Sequence, residues 1–214
     1  MKVVIFGATG PVGRAIVTQA LEAGHEVTLL TRNPEKAAFA AGRAAIVRGE
    51  VSDPQCVAEV LRGQEAVIQS IGIGGKGDGS PTRIVSDANR IIVEAMKRTA
   101  VRRYIAISII GAGDSYRFLP WVFRRIALPC FMRWFRAVID DKNRMGADIV
   151  SSGLDWTIVR STTLRKRPGT GARATLDGRR LTFSVSDEDL GAFAVGQLND
   201  PTYLHRAPTV FSAP

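Results

Sequence analysis

Three glycines near the N-terminus have the spacing and the position of a phosphate-binding turn. Gly7, Gly10 and Gly13 follow the apolar run 3–6 and precede apolar residues that recur with helical spacing. Glycines permit a tight turn and a close approach of the backbone to a pyrophosphate. The N-terminus of the following helix, with Pro11 in its first turn, directs unpaired N–H groups at that charge. The pattern predicts dinucleotide binding, with tight strand-to-helix packing as the alternative.

The residues around this turn favour NADP(H) as the cofactor. About 20 residues after the glycines, the second apolar run ends at Thr31-Arg32, with no carboxylate to bind an NAD ribose. Arg32 can form charge-assisted hydrogen bonds with a 2′-phosphate, helped by Lys36, or it is an ordinary exposed loop arginine. Within the turn, we expect Thr9 and Val12 to contact the same cofactor.

A serine at the end of a later apolar run is a candidate for contact with a substrate. Ser108 follows the run 104–107, at the edge where open α/β sheets bind ligands. Its hydroxyl can hydrogen-bond a carbonyl or a ring nitrogen, or it caps the end of a strand. No partners for a nucleophilic triad can be identified, and the two histidines, His25 and His205, form no metal-ligand cluster.

Alternating apolar runs and helical periodicities place these residues in a doubly wound parallel α/β sheet. Strands are predicted at 3–6, 27–30, 45–47, 66–68, 104–107 and 155–159, with less regular strands at 181–184 and 209–211. Helices are predicted from the turn to Gly24, from Asn33-Pro34 toward Gly42, over 54–61, around 84–95, over 136–151, and from a Ser186 cap through Leu198. The Gly-rich segment 72–79 can border a ligand. We expect one domain, 1–214, with a small C-terminal substrate-side region.

The stretch 118–136 combines bulky apolar residues with arginines and two helix-interrupting prolines, and we predict two short pieces. Its aromatic rings can cover a planar substrate, its arginines can attract carboxylates, or the stretch can lie on an anionic membrane surface. Because no sustained amphipathic helix continues past Pro129, we favour core packing or a substrate lid over membrane attachment.

The composition fits a folded α/β chain and favours anionic ligands. Hydrophobic residues make up 45% of the 214, and 29 Lys and Arg stand against 20 Asp and Glu, a formal charge of +9. Because the arginines are scattered and no nucleic-acid motif is present, we expect a basic surface without a nucleic-acid partner. The first glycine comes too early for a secretory signal, and Cys56 and Cys130 lack C-x-x-C spacing, so we expect reduced thiols and a cytoplasmic location.

Several motifs, spread over nearly the whole chain, resemble those of the extended and atypical short-chain dehydrogenase/reductase superfamily. They are G-x-x-G-x-x-G at 7–13, Arg32-Asn-Pro, Gly49-Glu-Val51, Ser86-Asp-Ala-Asn89, Arg103-Tyr-Ile-Ala-Ile-Ser108 and Ser152-Gly-Leu-Asp-Trp-Thr-Ile-Val-Arg160. Within the superfamily, the chain is similar to the compact NAD(P)H-binding, NmrA-like and flavin/biliverdin reductase-like group. The resemblance implies a Rossmann-like fold, with Glu50 and Val51 beside the adenine and Ser70 to Gly72 along the cofactor.

The same resemblance singles out one lysine and one departure from the pattern. Many superfamily members use Tyr-x-x-x-Lys, in which the lysine orients the nicotinamide ribose and the tyrosine transfers a proton. Lys142 has the place of that lysine, but Val138 stands four residues earlier. Lys142 then holds the ribose or is a solvated helix residue near Asp140 and Asp141. The resemblance also implies that 161–163, including Thr163, approaches the nicotinamide, although Ser161 replaces a frequent proline.

Two functions follow from this reading of the sequence. The first is an NADPH-dependent reductase that transfers a hydride to a small conjugated acceptor such as a flavin, a quinone or a tetrapyrrole, with Ser108 and Lys142 as candidate catalytic residues and solvent as a proton source. The second is a non-catalytic NADP(H) sensor or regulator, which the resemblance to NmrA-like proteins and the missing tyrosine favour. An epimerase-like or dehydratase-like enzyme fits less well because that tyrosine is absent.

Overall fold

A computed structural model of the protein describes residues 1–73, 80–130 and 132–213. Its strands are β1 (Lys2–Phe6), β2 (Glu26–Thr31), β3 (Ala45–Arg48), β4 (Ala66–Gln69), β5 (Arg103–Ile109), β6 (Asp155–Ser161), β7 (Thr163–Arg165), β8 (Ala172–Thr175), β9 (Ser184–Ser186) and β10 (Thr209–Ser212). Its α-helices are α1 (Pro11–Glu22), α2 (Pro54–Val60), α3 (Ile84–Lys97), α4 (Leu128–Cys130), α5 (Arg133–Val150) and α6 (Asp187–Gly196). Part of the predicted Gly-rich segment, 74–79, lies outside the described residues, as does Phe131.

The main sheet has the strand order of a Rossmann-like fold. Within the described residues it runs β3-β2-β1-β4-β5-β6-β10-β8, and all neighbours pair in parallel except β10 and β8. The chain reverses direction across the sheet between β1 and β4, which is the switch point where such sheets bind ligands. The predicted doubly wound parallel sheet is therefore confirmed.

Helices cover both faces of this sheet because alternate strand residues point to opposite sides. Val3 and Ile5 of β1 face one buried cluster that contains apolar residues of α1 and α6. Val4 and Phe6 face a second cluster that contains apolar residues of α2, α3 and α5. The two layers fix the helix ends and the strand ends at the carboxyl edge of the sheet.

Several predicted elements differ from the observed ones. The helix expected after Asn33-Pro34 is a 3-10 helix, Pro34–Ala40. The strand expected at 181–184 begins only at Ser184 and pairs with β7, which was not predicted, and β8 was also not predicted. The stretch 118–136 contains a π-helix, Phe123–Ala127, that continues into α4, and α5 begins at Arg133, three residues earlier than predicted.

Candidate functional site

The glycine turn between β1 and α1 has no room for side chains at two of its three glycines. Gly7 has a φ of +80°, and a Cβ there would lie 2.7 Å from the carbonyl of Ser70. A Cβ on Gly13 would lie 2.1 Å from the Gly7 carbonyl oxygen. A Cβ on Gly10 would meet only that same oxygen, at 3.7 Å. Gly7 and Gly13 are therefore required by packing, whereas Gly10 faces open space.

The N-terminus of α1 lacks a side-chain cap, unlike those of its neighbours. Gly10 is the N-cap and supplies no acceptor. In contrast, Asp53 caps α2 and Ser186 caps α6 through side-chain oxygens. The first N–H groups of α1 therefore remain available to an anionic ligand at the positive end of the helix dipole. This uncapped end, beside glycines that admit a close approach, fits the pyrophosphate of a dinucleotide.

Arg32 lies at the carboxyl end of β2, next to this turn. The Thr31 hydroxyl accepts the N–H of Asn33 at 3.2 Å, which shapes the backbone around Arg32. Arg32 and Lys36 are exposed, and no ion pair involves either of them within the described part of the chain. Both cations can therefore receive a phosphate without first breaking a salt bridge.

Arg14 was missed by sequence reasoning. Its guanidinium donates to the carbonyl oxygens of Thr9 at 3.2 Å and Lys36 at 2.8 Å, and it lies 4.6 Å from the centre of the Phe39 ring. These contacts join the glycine turn to the 3-10 helix that carries Lys36. The sequence shows only an arginine in the first turn of α1, because both acceptors are backbone groups.

The residues expected along the rest of the cofactor lie at the same edge of the sheet. Glu50 is exposed and accepts from the Ser52 hydroxyl at 3.0 Å, whereas Val51 is half-buried against the second core cluster. The Ser70 hydroxyl donates to the Gly7 carbonyl at 3.3 Å, and Gly72 is exposed. Their contacts with a cofactor stay predictions.

Lys142 is buried, with 5% of its surface exposed, so the alternative of a solvated lysine is wrong. Its ammonium donates to the carbonyl oxygens of Ile107 at 2.7 Å and Ile71 at 3.1 Å. Ile107 lies two residues before the end of β5 and Ile71 two residues after β4, so α5 brings the lysine to the carboxyl edge of the sheet between β4 and β5. Burial lowers the pKa of Lys142 to about 8, and the nearby Asp141 carboxylate opposes that shift.

Asp141, the neighbour of Lys142, holds two helices together. Its carboxylate is buried and accepts the backbone N–H groups of Val85 at 3.0 Å and Ser86 at 3.1 Å. Arg144 lies 3.5 Å from the same carboxylate. Because no side chain of α3 itself caps the N-terminus of α3, Asp141 supplies that cap from α5. The cap fixes the rotation of α5 that points Lys142 at the strand ends.

Ser108 and the segment 161–163 lie side by side at the ends of β5 and β6. Ser108 is 1% exposed, and its hydroxyl has no hydrogen-bond partner in the part of the chain that the structure describes. The Ser161 hydroxyl donates to the Ser108 carbonyl at 3.2 Å, which ties the two strands together. Thr163 is exposed in β7. A catalytic role for Ser108 stays a prediction, since only a small part of its surface is accessible.

A cavity of about 360 Å³ opens against α5, the helix that carries Lys142, although Lys142 itself does not line it. It lies between the loop after β5 and the adjoining turns of α5, and it is lined by Gly111, Gly113, Tyr116, Leu128, Arg136, Ile139, Asp140 and Asn143. Asn143 accepts the Gly113 N–H at 2.7 Å, and Arg160 of β6 pairs with Asp114. These contacts hold the loop against α5, so the cavity walls come from elements that the core fixes.

None of the tyrosines in the described chain takes the position of the family tyrosine. Tyr104 is fully buried and donates to Asn89 at 2.8 Å, and burial raises the pKa of its phenol. Tyr203 lies in the 3-10 helix Pro201–Tyr203 near the opposite end of β6. Tyr116 lines the cavity and is half-exposed, and sequence reasoning did not single it out.

Other classes of site are not found among the described residues. No group of three or more His, Cys, Asp or Glu side chains there can hold a metal ion. No helix in that part of the chain has the length and the apolar character needed to cross a bilayer.

Comparisons with known proteins identify relatives of similar length and structures with the same fold. YhfK of Bacillus subtilis, an uncharacterized sugar epimerase, is 25% identical over 211 residues, covering 97% of this chain and 92% of the relative. The oxidoreductase ylbE of Lactococcus lactis superposes with a TM-score of 0.82 at 20% identity, over 100% of this chain and 91% of that one. ChuY of Escherichia coli O157:H7, an anaerobillin reductase, superposes with a TM-score of 0.80 at 22% identity, over 99% of this chain and 97% of that one. At these identities the two structures show the fold.

Family membership rests on the match to a family model. Residues 7–201, from the first glycine of the turn to the loop after α6, match the family described as NAD(P)H-binding. The match includes both the uncapped helix and the segment that carries Lys142. The chain belongs to this NAD(P)H-binding family of atypical short-chain dehydrogenases/reductases, whose members are NAD(P)H-dependent oxidoreductases.

Proposed function

We propose that the protein is an NADPH-preferring reductase that passes a hydride to a small conjugated acceptor. The observation that carries this proposal is the joint placement of the uncapped α1 and the buried Lys142 at one edge of the sheet. The turn of 7–13 binds the pyrophosphate, and Arg32 with Lys36 binds the 2′-phosphate. Glu50 and Val51 flank the adenine, and Ser70 and Gly72 line the cofactor.

Lys142 positions the nicotinamide ribose in this proposal. Its ammonium donates to two carbonyl oxygens and, at 3.9 Å, to Met145 Sδ, a weak acceptor that a ribose hydroxyl can replace. The bound nicotinamide supplies the hydride. Ser108 and Thr163 lie at neighbouring strand ends, where they can orient the acceptor, and solvent supplies the proton.

The acceptor occupies the cavity beside α5. Tyr116 offers a ring for stacking, and Arg136 offers a charge for an acidic substituent. ChuY, which is named an anaerobillin reductase, supports an acceptor with an extended conjugated system. Such acceptors stabilise their reduced anion by delocalisation, so they do not require the tyrosine that Val138 replaces. The free thiols Cys56 and Cys130 agree with a cytoplasmic location.

The NADPH preference is tested by replacing Arg32 with alanine. Because charge-assisted bonds to the 2′-phosphate are lost, we expect NADPH affinity to fall roughly 10- to 100-fold and NADH affinity to change little. Isothermal titration with both cofactors measures this. Arg43→Ala, which removes an exposed arginine before β3, is the matched control. An equal loss for NADPH and NADH would contradict the phosphate assignment.

The same preparation distinguishes a reductase from a sensor. NADPH oxidation that depends on an added flavin, quinone or linear tetrapyrrole supports the reductase. Tight binding without oxidation supports the second candidate, an NADP(H) sensor, which the absence of a tyrosine at position 138 favours. No binding of either cofactor would refute both functions.

A further inference from the structure

The segment after β5 is only half packed into the protein. Leu119 and Leu128 are buried with Ile110 and Ile139 in a third apolar cluster, and Phe118 and Phe123 pack against it. This part agrees with the core packing that the sequence favoured. Core packing does not account for the other side of the segment, because three large apolar side chains remain outside the cluster.

Those three side chains form an exposed apolar surface. Trp121 is 61% exposed, Val122 is 58% exposed and Ile126 is 45% exposed. The Leu128 N–H donates to the Phe123 carbonyl, five residues back, as in a π-helical turn. With this wider turn, residues four or five positions apart lie on the same side, so Ile126 is next to Trp121 and Val122.

Arginines flank this apolar surface in the sequence, and no acidic residue interrupts it there. Five arginines and no Asp or Glu occur between Ser115 and Ile139. Arg117 and Arg125 are exposed, and the ion pair of Arg117 with Asp114 is long, at 4.0 Å. We refer to Arg117, Trp121, Val122, Arg125 and Ile126 as the Trp121 face.

We propose that the Trp121 face binds the surface of an anionic lipid bilayer. Tryptophan and short aliphatic side chains partition into the interfacial region, and arginines bind lipid phosphates around them. The charge decides between a bilayer and a second copy of the chain. A symmetric dimer through this face would place arginines against arginines, whereas anionic headgroups neutralise them.

The face adjoins the cavity of the proposed active site. Tyr116 and Leu128, which flank the face in sequence, both line that cavity, and the Arg124 guanidinium lies 5.8 Å from the Tyr116 ring. A protein attached through the face would therefore present its cavity near the bilayer. The attachment itself does not depend on the proposed activity, so each can be tested without the other.

Vesicle co-sedimentation of the full chain tests the proposal. We expect binding to vesicles of phosphatidylcholine with 30% phosphatidylglycerol, on the order of tenfold or more above pure phosphatidylcholine. Trp121→Ser with Ile126→Ser should reduce that binding roughly tenfold. Val150→Ser, which removes a 59% exposed valine at the far end of α5, is the matched control and should bind normally. Arg125→Glu should remove the preference for anionic lipid while NADPH binding is kept.

Three results would overturn the proposal. Wild-type protein that stays in the supernatant with anionic vesicles excludes the membrane. Equal binding by the double variant and by Val150→Ser shows that the attraction is general to the basic surface. Light scattering that shows a dimer in the wild type and a monomer in the double variant assigns the face to a second copy. Unchanged thermal unfolding in all variants confirms that they are folded.

Discussion

Gly10 and Gly13 belong to one motif but differ in what a methyl group would meet. At Gly13 the methyl would overlap a backbone oxygen that the β1–α1 junction cannot move, whereas at Gly10 it would project into the open space at the uncapped helix end. A sequence motif counts these glycines as equal. The structure separates a glycine needed for folding from one that we assign to ligand access.

This difference predicts opposite defects in two alanine variants. Gly13→Ala should lose about 2 kcal/mol or more of unfolding free energy, because backbone atoms must shift to admit the methyl. Gly10→Ala should unfold at nearly the wild-type temperature but bind NADPH at least about tenfold more weakly, since the methyl obstructs the phosphate. Thermal unfolding and cofactor titration of both variants check this, and normal NADPH binding by Gly10→Ala would contradict it.

The buried amine of Lys142 makes stability depend on pH. Its folded pKa of about 8 lies below the usual value, so the unfolded chain binds more protons between about pH 8 and 10.5. The contribution of this lysine to unfolding free energy therefore rises with pH in that window. Relative to Lys142→Met, the wild type should gain roughly 2 to 3 kcal/mol between pH 7 and pH 10.

Urea unfolding at several pH values measures this gain. Lys97→Met, which removes an exposed lysine in the last turn of α3, is the matched control and should follow the wild-type profile. Parallel profiles for wild type and Lys142→Met would mean that the amine keeps its ordinary pKa. The sequence could not have shown this burial, because the acceptors are the carbonyls of Ile71 and Ile107, far away along the chain.

At the scale of elements, the helices around the site differ in how their N-termini are satisfied. α2 and α6 carry caps in their own sequence, which is why their starts were predictable from Asp53-Pro54 and Ser186. α3 begins at Ile84 with its cap supplied by Asp141 of α5. α1 has no side-chain cap, and neither does α5. α5, the helix that orients Lys142, is thus held against α3 by Asp141, the residue before that lysine.

Loss of the Asp141 cap should weaken the packing of α5 against α3. Asp141→Ala leaves two buried N–H groups without an acceptor, and we expect a loss of about 3 kcal/mol in unfolding free energy. Asp141→Asn keeps one acceptor oxygen and should lose less. Asp140→Ala, at the exposed neighbour, should change stability by less than about 0.5 kcal/mol. If the two alanine variants unfold alike in urea, the cap contributes nothing measurable.

The accuracy of the sequence predictions follows the apolar content of each element. β1, β4 and β5 are buried runs with glycines or helical periods beside them, and they were predicted to within two residues at either end. β7 is exposed throughout and β8 is the short polar run Ala-Arg-Ala-Thr, so neither has a periodic pattern. The apolar residues 181–183 suggested a strand, yet pairing with β7 begins only at Ser184. For these strands, the pairing with a neighbouring strand determines where they form, and the local sequence does not.

At the scale of the whole molecule, the site is assembled from distant parts of the chain. The glycine turn comes from residues 7–13 and the buried lysine comes from α5. β10, from the end of the chain, is the strand next to β6. Motif spacing identified the turn and the lysine, while the cavity and the Trp121 face became visible only once α5 and the loop after β5 were placed together. Surface exposure in particular cannot be read from the stretch 118–136, where the exposed Trp121 lies between half-buried aromatic residues and buried leucines without a regular period.

The contact between α1 and α6 joins a helix near the beginning of the chain to the last α-helix of the described residues. A Cβ on Gly191 would lie 2.9 Å from the backbone of Ala15, so the two helices touch through their main chains. Asp189 then fastens α6 to the C-terminal strand through the Ser212 hydroxyl. During synthesis the glycine turn leaves the ribosome early, but the helix behind it gains its packing partner only after residue 196 has emerged. We therefore expect NADPH to bind only after α6 has packed against α1, and a ribosome stalled before α6 should hold a chain that does not retain NADPH.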